Sequence, residues 1–145
     1  MIIEKFSMKF YKEIIELWRK TGISVGSTDT KEELKRMIER NPHLFLIGKR
    51  DEKVIGVVMG GFDGRRGYVH HLAVDPNYQK KGYGKMIMDE LMKRFRKMRV
   101  HKVHLFIEKY NKEVVKFYQN LGWDIRDDLI MMSYVPDKTL YKMSI

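Results

Sequence analysis

A chain of 145 residues with 29 Lys and Arg against 19 Asp and Glu carries a formal charge of +10, and 43% of it is apolar, enough for one packed domain without a covalent staple. It contains no cysteine, which excludes disulfides, thiol nucleophiles, dithiol redox pairs, iron–sulfur clusters and cysteine-ligated zinc. The opening Met1-Ile2-Ile3-Glu4-Lys5 lacks the charged-then-apolar order of a leader, and no apolar run nears the roughly 18 residues of a membrane span, so the expectation is a cytoplasmic protein with no membrane partner, its basicity drawing it to an anionic ligand.

Met1–Phe6 alternates as a strand, and Lys9–Thr21 sets Phe10, Ile14, Leu17 and Trp18 on one helical stripe that Gly22 ends. Thr30 with Glu33 forms a capping box for a helix over Lys31–Arg40, which Asn41-Pro42 stops. Leu44–Lys49 and Lys53–Phe62 read as a hairpin turning at Arg50-Asp51-Glu52, and Gly64-Arg65-Arg66-Gly67 leads into a third run, Tyr68–Val74, that Asp75-Pro76-Asn77 closes. Gly84–Arg99 has the spacing of a helix through Ile87, Met88, Leu91, Met92 and Phe95, and Lys102–Glu108 returns as a strand. Asn111 caps a helix over Lys112–Leu121, Gly122 stops it, and Trp123–Arg126 and Leu129–Val135 complete the pattern as strands. With no repeat, low-complexity tract or linker, residues 1–145 read as one α/β (α+β) domain, a mixed, mostly antiparallel sheet with helices on both faces.

The chemistry concentrates where a buried strand runs into a helix through Gln79-Lys80-Lys81-Gly82-Tyr83-Gly84-Lys85. Glycines admit positive φ and close approach, and the first free N–H groups of the helix carry the positive end of its dipole, so the loop is suited to phosphate. Each charge-assisted amide–phosphate bond is worth about 1.5–3 kcal/mol, so three or four would hold a pyrophosphate. A Walker loop needs Ser or Thr after Gly-Lys and here Met86 follows; the dinucleotide fingerprint fails as well, because after Gly82-Tyr83-Gly84 the run Lys85-Met86-Ile87 puts Ile87 where its third glycine belongs. On residue pattern alone, a plain turn stays open beside a phosphate seat.

Leu44–Val135 resembles the GNAT superfamily of N-acetyltransferases: the strand Tyr68–Val74, a loop matching Q/R-x-x-G-x-G/A at Gln79–Gly84, Asn111 after the next strand, then Phe117-Tyr118 and Leu121-Gly122-Trp123, in order and at the expected separations. Gly60-Gly61-Phe62-Asp63-Gly64 is similar to the YpeA-like members. The resemblance implies a GNAT fold and acetyl-CoA as cosubstrate, with no metal. It implies that the amides of Gln79, Lys80, Lys81, Gly82, Tyr83, Gly84 and Lys85 hold the pyrophosphate. It further implies that Leu72, Ala73 and Val74 pair with the pantetheine arm, Val74 N–H lying near the thioester carbonyl, and that Asn111 contacts pantetheine while Tyr118 protonates the departing thiolate. Asn111 also reads as a helix cap, and Tyr118 as a core aromatic.

Family members carry Glu or His at positions matching Tyr68 or His70; Tyr occupies the first here, leaving His70 as the candidate base, with Glu108 and Asp63 as reserve carboxylates. Strand alternation sets Tyr68, His70, Leu72 and Val74 on one face and His71 on the other. The acceptor decides how strong a base is needed: an alkyl amine of pKa ~10.4 is about 0.04% neutral at pH 7, an α-amine far more. Trp18 and Gly22–Asp29 lie where family acceptor pockets form, Trp18 reading equally as core. The expected activity is transfer of acetyl to a primary amine by direct attack in a ternary complex. The alternatives are a non-catalytic acyl-CoA sensor of the same fold and a basic nucleic-acid-binding module. The module is disfavoured because its positive charge is not interleaved with exposed aromatics, Tyr83 being the only such residue expected near the basic helix. The run Leu129–Val135 leaves a homodimer open through edge pairing.

Overall fold

Alternation in the strands and the helical stripes sort the apolar residues onto two faces of one sheet. A computed structural model describes residues 1–145, with strands β1 (Ile2–Lys5), β2 (Phe45–Arg50), β3 (Lys53–Phe62), β4 (Gly67–Val74) and β5 (Val103–Leu105) and helices α1 (Tyr11–Lys20), α2 (Lys31–Arg40), α3 (Tyr83–Lys97) and α4 (Lys112–Asn120). Spatial order follows chain order; β1 to β4 are antiparallel and β5 runs parallel to β4, across the α3 connection. Ile14, Leu17 and Trp18 of α1 and Leu34 of α2 pack with Phe45, Ile47, Val57, Met59 and Ala73 on one face. Ile87, Met88, Leu91 and Phe95 of α3 and Tyr118 of α4 cover Leu44, Leu46, Val58 and Val69 on the other.

The expected ends hold where a cap or turn fixes them. Thr30 Oγ1 accepts from Glu33 N–H at 3.3 Å, although the Glu33 carboxylate turns to Arg36, so only half of the capping box forms. Two expectations fail. The strand over Lys102–Glu108 shrinks to three residues, Val103–Leu105, and Trp123–Arg126 and Leu129–Val135 form no strands. Alternation specifies a strand only where a neighbour pairs with it. Here β5 offers a three-residue edge, and the Arg126 guanidinium forks onto Asp128 at 3.0 Å to close a local turn. No helix is long and apolar enough to cross a membrane.

Two irregularities of β4 shape everything beside it. Its pairing with β5 covers only Gly67, Tyr68 and Val69, so from His70 onward that edge is open. On the β3 side the register passes from Val57↔Ala73 to Met59↔His70, so β4 spends one extra residue, a bulge that His71 takes up at φ +54. The bulge overturns the expected facing. Tyr68 and His70 stay on the α1 side, His70 opposite Met59, whereas Leu72 and Val74 pack toward α3 and α4. His71 lies on the α1 side with His70, not opposite it.

Candidate active site

The loop after β4 is built by backbone conformation. Gly82 adopts φ +84 as the N-cap of α3, and Lys80 is also left-handed at φ +62. Met86 N–H is the first to find a helical acceptor, the Gly82 carbonyl at 3.1 Å, so the N–H groups of Tyr83, Gly84 and Lys85 stand free at the positive end of a 15-residue helix. Side chains brace this frame. Gln79 Nε2 donates to the Val74 carbonyl at 2.8 Å, Arg50 donates to the Tyr83 hydroxyl at 2.6 Å, and Lys85 Nζ pairs with Asp89 at 2.6 Å. Lys80 and Lys81 remain exposed. A Cβ on Gly84 would lie 3.3 Å from Phe117 Cζ and 3.7 Å from Val74 Cγ2, so the loop, the end of β4 and α4 meet there.

The main chain at the end of β4 faces the same place. Asp75 N–H donates to the Ile55 carbonyl at 2.8 Å, and antiparallel ladders alternate, so the N–H and carbonyl of Val74 point away from β3 toward the edge that β5 leaves open. The Ala73 groups face β3, and the Ala73 side chain is buried on the α1 face.

Tyr118 is 7% exposed, packed edge-on against Phe117 at 5.1 Å and Trp123 at 5.6 Å, and its hydroxyl has no protein partner. Burial raises its pKa above the ordinary 10.0, so the phenol stays protonated at neutral pH. Asn111 Oδ1 accepts from Val114 N–H at 3.4 Å, which makes it the cap of α4. Glu108 lies past the end of the shortened β5, exposed, its carbonyl taking Asn111 N–H at 2.9 Å. Asp63 is committed to the β3–β4 turn, accepting from Arg65 and Arg66 N–H at 2.7 Å each, at the end of β4 remote from Val74.

On the α1 face the bulge gathers a polar cluster. His71 Nε2 lies 3.3 Å from Asp29 Oδ1, Trp18 Nε1 donates to the His71 carbonyl at 3.0 Å, and the Trp18 and His71 rings meet at 4.8 Å. Asp29 is 4% exposed; its Oδ2 takes Gly26 N–H at 2.9 Å and its carbonyl takes the Tyr11 hydroxyl at 2.8 Å. Burial alone would raise the Asp29 pKa, but the bonds from His71 and Gly26, with the nearby His70, outweigh it and hold it below the usual carboxylate value. Sequence reading singled out the segment around Asp29 but missed this contact, because a bulge has no signature in an apolar run. Trp18 is fully buried in the core and serves the site only through its indole N–H.

A carboxyl whose folded pKa is depressed contributes stability present above its ordinary 3.8 and lost as pH falls through the folded value. Asp29→Asn is therefore expected to lower Tm most near neutrality, by the equivalent of about 1–3 kcal/mol, with the gap to the parent closing in acid. Thermal melts across pH 2.5–7.5 check this, and a gap independent of pH contradicts it.

Residues 11–123 match the family described as Acetyltransferase (GNAT) family. An acetyltransferase of Sodalis glossinidius is 27% identical over 132 residues, 91% of this chain and 93% of that protein. Among solved structures, Ard1 of Thermoplasma volcanium superposes with a TM-score of 0.79 at 21% identity, covering 86% of this chain and 83% of that one. The PaiA N-acetyltransferase of Thermoplasma acidophilum, solved in complex with coenzyme A, gives 0.78 at 24% identity over 87% and 91%.

Proposed function

Because the chain belongs to the acetyltransferase (GNAT) family, we propose that residues 1–145 act as one N-acetyltransferase domain, moving the acetyl group of acetyl-CoA to a primary amine in a single ternary complex. One observation carries the reading: the free amides of Tyr83, Gly84 and Lys85 and the outward-turned N–H and carbonyl of Val74 border the same opening, where β5 has parted from β4. An extended pantetheine arm pairs with β4 there as a strand would, through Leu72 and Val74. Its diphosphate lies at the start of α3, within the loop Gln79–Lys85. Gln79 ties that loop to the strand, and Asn111 borders the arm from the cap of α4. The Gly60–Gly64 run supports placing the chain beside the YpeA-like members.

The neutral amine nitrogen attacks the thioester carbonyl carbon. As the C–N bond forms, the oxygen takes up negative charge that the Val74 N–H stabilises. The C–S bond then breaks, and Tyr118, the buried protonated phenol, supplies the thiolate with its proton. The proton shed by the amine passes to His70 on the acceptor side of β4, Glu108 lying out in the exposed loop. The charge field of the chain, +10 overall, attracts the polyanionic cosubstrate.

Burial, reinforced by the neighbouring His71, lowers the His70 pKa from the ordinary 6.5, against the pull of Asp29. A base of lowered pKa stays unprotonated further into acid, so kcat/KM, once divided by the neutral fraction of the acceptor amine, is expected to fall only below about pH 6.5. In His70→Gln that acidic limb flattens or moves; an unaltered limb clears His70 of base duty. Labelled acetyl-CoA with a pooled amine panel and mass detection tests the activity itself. Coenzyme A binding without transfer to any amine favours the acyl-CoA sensor reading, and tight DNA binding with a steep salt slope favours the nucleic-acid module.

A further inference from the structure

The acceptor side of β4 carries a cation that the fold leaves without a counter-ion. Arg66 is half-buried, no carboxylate lies within ion-pair range of it, and its guanidinium NH1 sits 2.9 Å from His104 Nε2. The Asp63 carboxylate, three residues before it, turns its Oδ1 to the backbone amides of Arg65 and Arg66 and makes no ion pair with the guanidinium. A guanidinium only donates, so His104 accepts at Nε2, which places its proton on Nδ1 and leaves the imidazole neutral. Burial, then the charges of Arg66, Lys102 and Arg126, keep its pKa below the ordinary value. The remaining guanidinium N–H groups of Arg66, and the Nδ1–H of His104, are donors without an anion.

Their position matters because they continue the row that ends at His70. His104 stands opposite Tyr68 in the β4–β5 register, and the Tyr68 ring lies between those of His104, at 6.0 Å, and His70, at 6.3 Å. Arg66, Tyr68 and His70 alternate along one face, so a donor cluster and the candidate base lie on one line, four residues apart. Four residues of strand span about 13 Å, and the Arg66 side chain shortens the gap.

We infer that the acceptor is an extended amine bearing a carboxylate or phosphate about 10 Å from its nitrogen, the anion held by Arg66 and His104 while the amine lies against His70. This rests on the N-acetyltransferase reading for the amine end, while the anion site stands on the Arg66 geometry. A peptide N-terminus with an acidic third residue has the required reach.

The test is binding in the presence of saturating coenzyme A, where no turnover occurs. Calorimetry compares the amidated tripeptides Gly-Gly-Glu and Gly-Gly-Gln, then Gly-Gly-phosphoserine and Gly-Gly-Ser. Each anionic peptide is expected to bind about tenfold more tightly than its neutral match, the larger ratio identifying carboxylate or phosphate. Arg66→Gln is expected to bring the ratio near unity and Arg66→Lys to restore part of it. Arg65→Gln, the exposed neighbour, is expected to leave it intact, with melting temperatures confirming folded variants. Equal affinities in the parent, binding of neither member of a pair, or a preference that survives Arg66→Gln overturns the inference. Acetyl transfer to the same peptides is read separately: an Arg66-dependent preference without transfer removes the acetyltransferase reading and leaves the anion site standing.

Discussion

Gly84→Asp is expected to weaken coenzyme A binding by at least about 100-fold, ~2.7 kcal/mol. Two causes add. The new Cβ would lie 3.3 Å from Phe117 Cζ and 3.5 Å from Cε1, so the start of α3 or Phe117 must give by a few tenths of an ångström. The carboxylate then places a negative charge at a helix N-terminus that would otherwise face a diphosphate. Gly82→Ala separates these causes from backbone strain. Nothing lies within 4 Å of a Cβ there, but φ is +84, so it costs about 1–2 kcal/mol of stability while leaving the amides and local charge in place. Titration calorimetry on both variants, with melts to confirm folding, decides the matter. Undiminished affinity in Gly84→Asp would remove the phosphate seat from the start of α3.

Tyr118→Phe is expected to reduce kcat on the order of 100-fold with coenzyme A affinity little changed. The ring keeps its packing against Phe117 and Trp123, and the hydroxyl has no protein bond to lose, so Tm should scarcely move. Loss is partial because a thiolate of conjugate pKa around 8.5 departs without full protonation, whereas a phenol whose pKa burial has raised is a weak but permanently loaded donor. Pre-steady-state release of coenzyme A reports the step directly. An unchanged kcat would leave Tyr118 as a core aromatic.

The parts of this fold that sequence displays are those decided locally. Thr30 and Asn111 announce the starts of α2 and α4, and both cap as their residue types require. The glycine loop is legible because Gly82 needs a conformation few residues adopt. Three things were hidden. The extra residue in β4 is invisible within Val-His-His-Leu, yet it reverses the facing of Leu72 and Val74 and brings His71 beside Asp29. That pairing joins residues 42 positions apart in sequence, which no short pattern encodes. And Leu129–Val135 is an apolar run that reads as a strand but has only the three-residue β5 beside which to pair, a matter of tertiary supply rather than of local preference. Glu108 and Asp63 looked equivalent as carboxylates; the turn amides that occupy Asp63 distinguish them.

The outward-turned peptide groups at Val74 carry a consequence for how this protein is probed by mutation. A groove read through peptide groups is indifferent to which side chains flank it, so alanine scanning of Leu72 or Val74 would register packing losses against α3 and α4 and pass over the recognition itself. Swapping the Val74 amide for an ester by chemical ligation deletes one donor while keeping every side chain. Proline at the same residue, which also lacks an N–H, would reach the same blind spot by genetic means.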